Sequence, residues 1–220
     1  RQRMNKWLIK STTRTGSHLV YSLLESSGLR AEHVSFKLYR EQSSPPVWPL
    51  LANHNNLRLS PEDDNIVVHD HTTWIPPDPE NWNIVHTQRQ DKAAQTLSSI
   101  FAGKINEYLL EGLGASSYSD KYITPFYLDP KATLKSHRKR IHYENNMRNL
   151  IDSRKWKSFN LMFFEDLIQT TPDVVGHILQ LEYDVWKCKW DEQKNPRKAQ
   201  DIILNYNELY NVLSEVTQNH

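Results

Sequence analysis

The sequence lacks several things at once. It has one cysteine, Cys188, so an internal disulfide framework and a Cys-rich metal centre are excluded. No apolar run approaches the roughly 18 residues of a membrane span, and the N-terminal residues carry no signal-peptide core. Charge of one sign is not in excess: 27 Lys+Arg face 26 Asp+Glu, for a net charge of +1. Net charge therefore gives no reason to expect a polyanion-binding protein. Internal repeats and coiled-coil heptads are missing too. The chain is nonetheless not disordered, with 38% hydrophobic and 24% charged residues, close to globular averages.

What is present fits one α/β domain spanning residues 1–220. A chain of this size buries about 70% of its unfolded surface. Met4 reads as the natural start, and residues 1–6 as an N-terminal extension or appended remnant. Trp7-Leu8-Ile9 forms a short apolar strand, followed by the polar turn Ser11–Ser17 and a helix bearing Leu19, Val20, Leu23 and Leu24, which stops at Ser27-Gly28. Further strands are expected at Ile66–His69, Asn83–His86 and Asn160–Phe164. Helices are expected after Asp91, after Asp129 with Pro130 opening it, after Thr171-Pro172, and over Glu208–Val216. Gln42–Asn65 and Gly112–Asp120 read as loops, the first with a short helix at Trp48–Ala52. Strands followed closely by helices predict a mostly parallel central sheet flanked by helices, a P-loop-like nucleotide-binding fold.

A loop between a buried strand and a helix aims backbone N–H groups and the positive helix end at one point. Thr12–His18 has the composition for this: Gly16 permits close approach, Thr15 and Ser17 add hydroxyls, and Arg14 adds a permanent charge. It is not G-x-x-x-x-G-K-[ST], which disfavours an ordinary Mg·ATP or Mg·GTP site.

These residues resemble a family. Ile9–Leu19 looks like the 5′-phosphosulfate loop, P-[RK]-S-G-[ST]-[ST], of sulfotransferases that use 3′-phosphoadenosine-5′-phosphosulfate (PAPS), with Thr13 for the Pro, Thr15 for the Ser and His18 for the second hydroxyl residue. His86–Ser98 is similar to the family's 3′-phosphate motif, and Asp91, Lys92, Gln95 and Ser98 fit the R-R-D-K-x-x-Q-A-x-S form found in bacterial trehalose-type enzymes. Gln90 stands where a second Arg is common, which sets Arg89 one residue further from Ser98 than usual. Phe163–Leu167 resembles the "YEDL" segment and Asn205–Leu209 the terminal "NYDEL", both scaffold features. The Arg-Lys-Gly loop of the cytosolic enzymes is not evident; Asn195–Lys198 is its possible substitute.

The resemblance implies sulfuryl transfer from PAPS to a hydroxyl of a carbohydrate or small metabolite, in line and without metal, releasing adenosine 3′,5′-bisphosphate. It implies that Arg14, Thr15, Gly16, Ser17 and His18 hold the 5′-phosphate, and that Arg89 and Ser98 hold the 3′-phosphate. Arg14 takes the place of the lysine that meets the bridging oxygen. His71, within Val67–Pro76, matches the catalytic histidine of the "K-T-H-x-P" strand end, and its chemistry suits proton abstraction near neutrality. Glu32, in a stretch like "G-x-P-x-E", is the second choice for the base. His69 and His71 share a strand face and offer a rival reading as metal ligands, but no third ligand is evident, so no metal is expected. The adenine would stack on Trp7, Tyr39, Trp48 or Tyr127. Lys131–Arg148 reads as the solvated face of a helix. Pro45–Pro49 and Thr73–Pro76 are candidates for shaping the acceptor pocket. The rivals are a non-catalytic nucleotide-binding or interaction module of the same fold and a phosphotransferase. No nucleic-acid partner is expected. The expected compartment is cytoplasmic, with a lumenal domain cut from an anchor as the alternative.

Overall fold

The computed structural model describes residues 5–34, 65–110, 124–188, 190 and 199–218, with backbone alone at 31–34 and 105–110. The chain divides into two compact units, residues 1–90 with 146–194 and residues 91–145 with 195–220.

The first unit is built on a five-stranded sheet in the order β2-β3-β1-β4-β5. Its strands are β1 (Asn5–Ser11), β2 (Arg30–Val34), β3 (Asn65–Asp70), β4 (Trp82–Gln88) and β5 (Ser158–Phe163). Every pairing is parallel, so the α/β class and parallel sheet expected from the sequence are observed. Asn5 and Lys6, grouped above with an extension, are the first residues of β1.

Burial follows position in the sheet. The inner strands β1, β3 and β4 are buried almost throughout, as strands covered on both faces must be. β5, an edge strand, has only Met162 buried. β2 escaped the sequence reading because Arg30-Ala31-Glu32-His33-Val34 carries little β-branched or aromatic content, and its partner β3 supplies the pairing.

One sheet face presents Trp7, Ile9, Val67 and Val85 to Leu19, Val20, Leu23 and Leu24 of α1 (Ser17–Ser26). Each such side chain, fully buried, contributes about 1.5–3 kcal/mol. Val175 and Leu179 of α5 (Pro172–Leu179) and Trp190 complete this core. α1 ends where the Ser27 and Gly28 N–H groups bond to Leu24 and Glu25 carbonyls, and Gly28 adopts the left-handed conformation at φ 85° that closes a helix without a Cβ clash. Between β5 and α5 lies a single turn, α4 (Phe164–Leu167), so the strand ends at Phe163 rather than at the expected Phe164. Pro172 opens α5 as expected, but the Thr171 side chain makes no capping bond.

The second unit packs α2 (Lys92–Leu110) on α6 (Tyr206–Gln218), with Ala93, Leu97 and Phe101 against Leu209, Leu213 and Ile203. Asp91 caps α2 by accepting the Ala94 N–H at 2.8 Å. Asp129 caps α3 (Pro130–Asp152) through the Ala132 N–H at 2.8 Å. Both caps were expected. Asn205 brackets Leu128, taking its N–H and donating to its carbonyl, a scaffold role for the terminal Asn-Tyr segment. No helix among the described residues is long and apolar enough to cross a membrane. The expected loop and short helix within 42–64 and the loop at 112–120 lie outside the described residues.

Candidate functional site

In this strand order β1 is central, with β3 on one side and β4 on the other. The chain leaves β1 toward β2 and leaves β3 toward β4, so the connections diverge at β1. In open parallel sheets such a divergence opens a crevice outside the carboxyl ends of the strands, where ligands bind. The residues just beyond those ends are the Thr12–Gly16 turn after β1, His71 after β3 and Arg89 after β4.

The turn is held in an uncommon shape. Gly16, the residue before α1, has φ 76°, and Arg14 has φ 66°. A left-handed arginine is strained, a state that clusters at functional loops. A Cβ at Gly16 would lie 3.2 Å from both Phe164 and Leu167 of α4, so the loop backbone rests against that turn. The hydroxyls of Thr15 and Ser17, expected to face a ligand, are turned inward. Thr15 donates to the Thr12 carbonyl at 3.1 Å and lies 2.9 Å from the Thr87 hydroxyl. Ser17 bonds to His69 Nε2 at 2.9 Å. Both side chains are buried, because they face the strands that α1 covers. Anion contact here falls to backbone N–H groups, the helix N-terminus and Arg14.

Arg14 and Arg89 lie close enough to repel. Burial, and after it the charge of Arg89, lowers the Arg14 guanidinium from its ordinary value. Arg89 is supported from α4. Its guanidinium lies 4.5 Å from the Phe164 ring centre and 3.9 Å from Glu165, whose second oxygen accepts the Gln90 N–H at 3.1 Å. From the sequence this "EDL" segment is expected to be scaffold alone. The missed signal was adjacency, since β5 pairs with β4 in register up to Gln88↔Phe163.

Side-chain alternation divides the β1 and β3 ends into two clusters. On one face Lys10 meets Asp70 at 2.5 Å and donates to the Thr72 carbonyl at 2.9 Å, with both charged side chains fully buried. Asp70 also accepts from the Thr72 N–H at 2.8 Å, which ties the backbone that carries His71. On the α1 face Ser11, His69 and His71 gather with His18 from the first turn of α1. His71 Nδ1 lies 3.0 Å from the Ser11 carbonyl. A carbonyl only accepts, so Nδ1 carries the proton and Nε2 the lone pair. The Ser11 hydroxyl steadies the same nitrogen at 2.9 Å.

No family model matches the sequence, and no curated protein matches it. A crystal structure of retinol dehydratase in complex with androsterone and the inactive cofactor PAP is similar over 97% of this chain, at 14% identity and a TM-score of 0.43. This chain spans 65% of that protein's length. The likeness is loose.

The remaining expected site residues are placed as follows. Glu32 lies within β2, opposite Val68 and two positions before the strand's end, rather than in a loop. Ser98 is half-buried on α2, in the second unit. Trp7 is a core residue in the amino-terminal half of β1, not an adenine platform; Tyr127 is 73% exposed. Tyr39, Trp48, Pro45–Pro49 and Asn195–Lys198 lie outside the described residues. Of the basic stretch on α3, Lys131, Lys135, Arg138, Lys139, His142 and Arg148 are exposed as expected. His137 is not: it is fully buried, bonded to Thr96 at 2.8 Å and Thr217 at 3.0 Å, because its position turns it toward α2 and α6.

Proposed function

We propose that the chain, as one catalytic domain, is a PAPS-dependent sulfotransferase acting on a hydroxyl of a carbohydrate or small metabolite. The observation that carries this reading is that Arg14, after β1, lies near enough to Arg89, after β4, for the charge of Arg89 to lower the Arg14 guanidinium. Two half-buried cations at a parallel-sheet switch point suit a ligand with two anionic ends. Bound there, PAPS would supply an activated sulfuryl group with adenosine 3′,5′-bisphosphate as its leaving portion.

The residues then have distinct tasks. Arg14, with the backbone N–H groups of Thr15–His18, meets the 5′-phosphate and the charge that grows on the bridging oxygen. Arg89 takes the 3′-phosphate. His71, with its proton fixed on Nδ1, accepts the acceptor's hydroxyl proton at Nε2. Glu32 is the second choice for that step. Charge neutralisation by two arginines makes the transfer metal-independent in this reading.

The test compares ligands by thermal shift. Adenosine 3′,5′-bisphosphate raises the melting temperature and Mg·ATP does not; Arg14→Ala and Arg89→Ala each reduce the shift. The reverse preference would favour a phosphotransferase. Replacing His71 and Glu32 separately by Ala then assigns the base, since the true base lowers turnover by about 10²-fold or more. A second reading, a nucleotide-binding module without transferase activity, draws support from the inward-facing Thr15 and Ser17 hydroxyls. It predicts nucleotide binding with no sulfated product.

A further inference from the structure

The sequence offered two histidines, His69 and His71, at alternate positions of one extended segment and no third ligand. The fold supplies one from 51 positions upstream of His69. α1 covers the sheet face toward which His69 and His71 point, and His18 sits in its first turn. One donor nitrogen from each of His18, His69 and His71 lies within 4.8 Å of the other two. The rings are in direct contact: His69 lies 4.9 Å from His18 and 4.4 Å from His71 between centroids, both edge to face.

We propose that His18, His69 and His71 form a binding site for one divalent transition cation of the zinc class. The donor set selects the ion. Three imidazoles suit zinc, copper or nickel and not magnesium or calcium, which take oxygen ligands. Zinc–imidazole bonds of about 2.0–2.1 Å set tetrahedral nitrogens roughly 3.4 Å apart. The rings therefore close by about 1.4 Å from the 4.8 Å limit. The exposed His18 carries most of that adjustment, while the other two rings are already oriented. Ser11 holds His71 through Nδ1 and leaves Nε2 as donor; Ser17 holds the His69 ring at 2.9 Å. Hydrogen bonds of this kind fix ligand orientation around metals. Three protein ligands leave a fourth position for water or an anionic oxygen.

This site goes beyond the transferase reading and does not depend on it. Coordination takes the Nε2 lone pair that proton abstraction requires, so a metal-loaded His71 does not act as a base.

The experiment titrates zinc into chelator-stripped, tag-free protein against a chromophoric chelator. One equivalent is expected to bind with micromolar or tighter affinity. His18→Ala, at an exposed position, is expected to weaken binding more than about 10-fold, and His71→Ala likewise, with unchanged circular dichroism. Cobalt substitution is expected to give the visible bands of a four-coordinate, nitrogen-rich site. Absence of stoichiometric binding, or binding that survives His18→Ala undiminished, overturns the proposal. Stripped protein that still responds to adenosine 3′,5′-bisphosphate but takes up no zinc rejects the metal site alone. Protein that takes up zinc but ignores the nucleotide rejects the transferase reading alone.

Discussion

Lys10 and Asp70 are two opposite charges with no solvent contact at all. Burial pulls the Lys10 ammonium down from its ordinary value, and the Asp70 charge and hydrogen bond oppose that pull. Removing one partner strands the other in the interior. Asp70→Ala is therefore expected to cost about 3–5 kcal/mol, read by urea denaturation. The double variant Lys10→Met/Asp70→Ala is expected to cost less than the sum of the single changes, because neither charge is then left alone. The loop before α1 gives a second prediction at this scale. Gly16→Ala forces a Cβ into left-handed backbone and against Phe164 and Leu167 at 3.2 Å. The backbone term alone is about 1–2 kcal/mol, and calorimetry checks it. At residues the sequence was a good guide to type and a poor guide to direction. Arg14 and Arg89 stood out as permanent charges at loop positions. That Thr15 and Ser17 turn inward depends on which strand lies opposite, and only the sheet order decides that.

Elements whose signal is local were readable. β1, β3 and β4 each carry a short apolar run, Trp7–Ile9, Ile66–Val68 and Ile84–Val85, and α2 and α3 begin at Asp91 and Asp129 with the backbone bonds such caps make. β2 was not readable, since Arg30, Glu32 and His33 interrupt it and its existence depends on an edge offered by β3. α4 was missed because Phe164 continues the apolar run of β5, and a single turn has no periodicity to detect. α5 also carries a pH prediction. Partial burial, and then the hydrogen bond and charge of Asp173, push the Tyr183 hydroxyl up to about 12. The bond itself is 2.6 Å long and joins the following loop to α5. The folded state thus keeps this phenol protonated above the pH at which the unfolded chain releases it. Its contribution is complete below about pH 10 and is lost as pH rises through about 12. Ultraviolet titration is expected to show Tyr183 titrating late, and Asp173→Asn moves it earlier.

For the molecule as a whole, a net charge of +1 coexists with two mutually repelling arginines at one sheet edge. Attraction for anions is thus local and depends on geometry rather than on an extended field. Duplex DNA is expected to show no measurable binding at about 0.15 M salt, checked by fluorescence anisotropy. Affinity for adenosine 3′,5′-bisphosphate is expected to fall only moderately over the same rise in salt, because partly buried charges are weakly screened. The parallel α/β class was legible from alternating strand and helix signals. The assembly of Arg14, His71 and Arg89 at a single edge was implied only by the family resemblance; its physical cause, β1 lying between strands that come after it in the chain, is visible only in the sheet order.

The Phe164 ring touches two parts of the site at once: it lies beside Gly16 of the turn and beneath the guanidinium of Arg89. An occupant that draws Arg89 away from Glu165 must also change what presses on the turn before α1. The two ends of a bound anion would then not be gripped independently, and trimming this one aromatic to a smaller side chain should loosen both together.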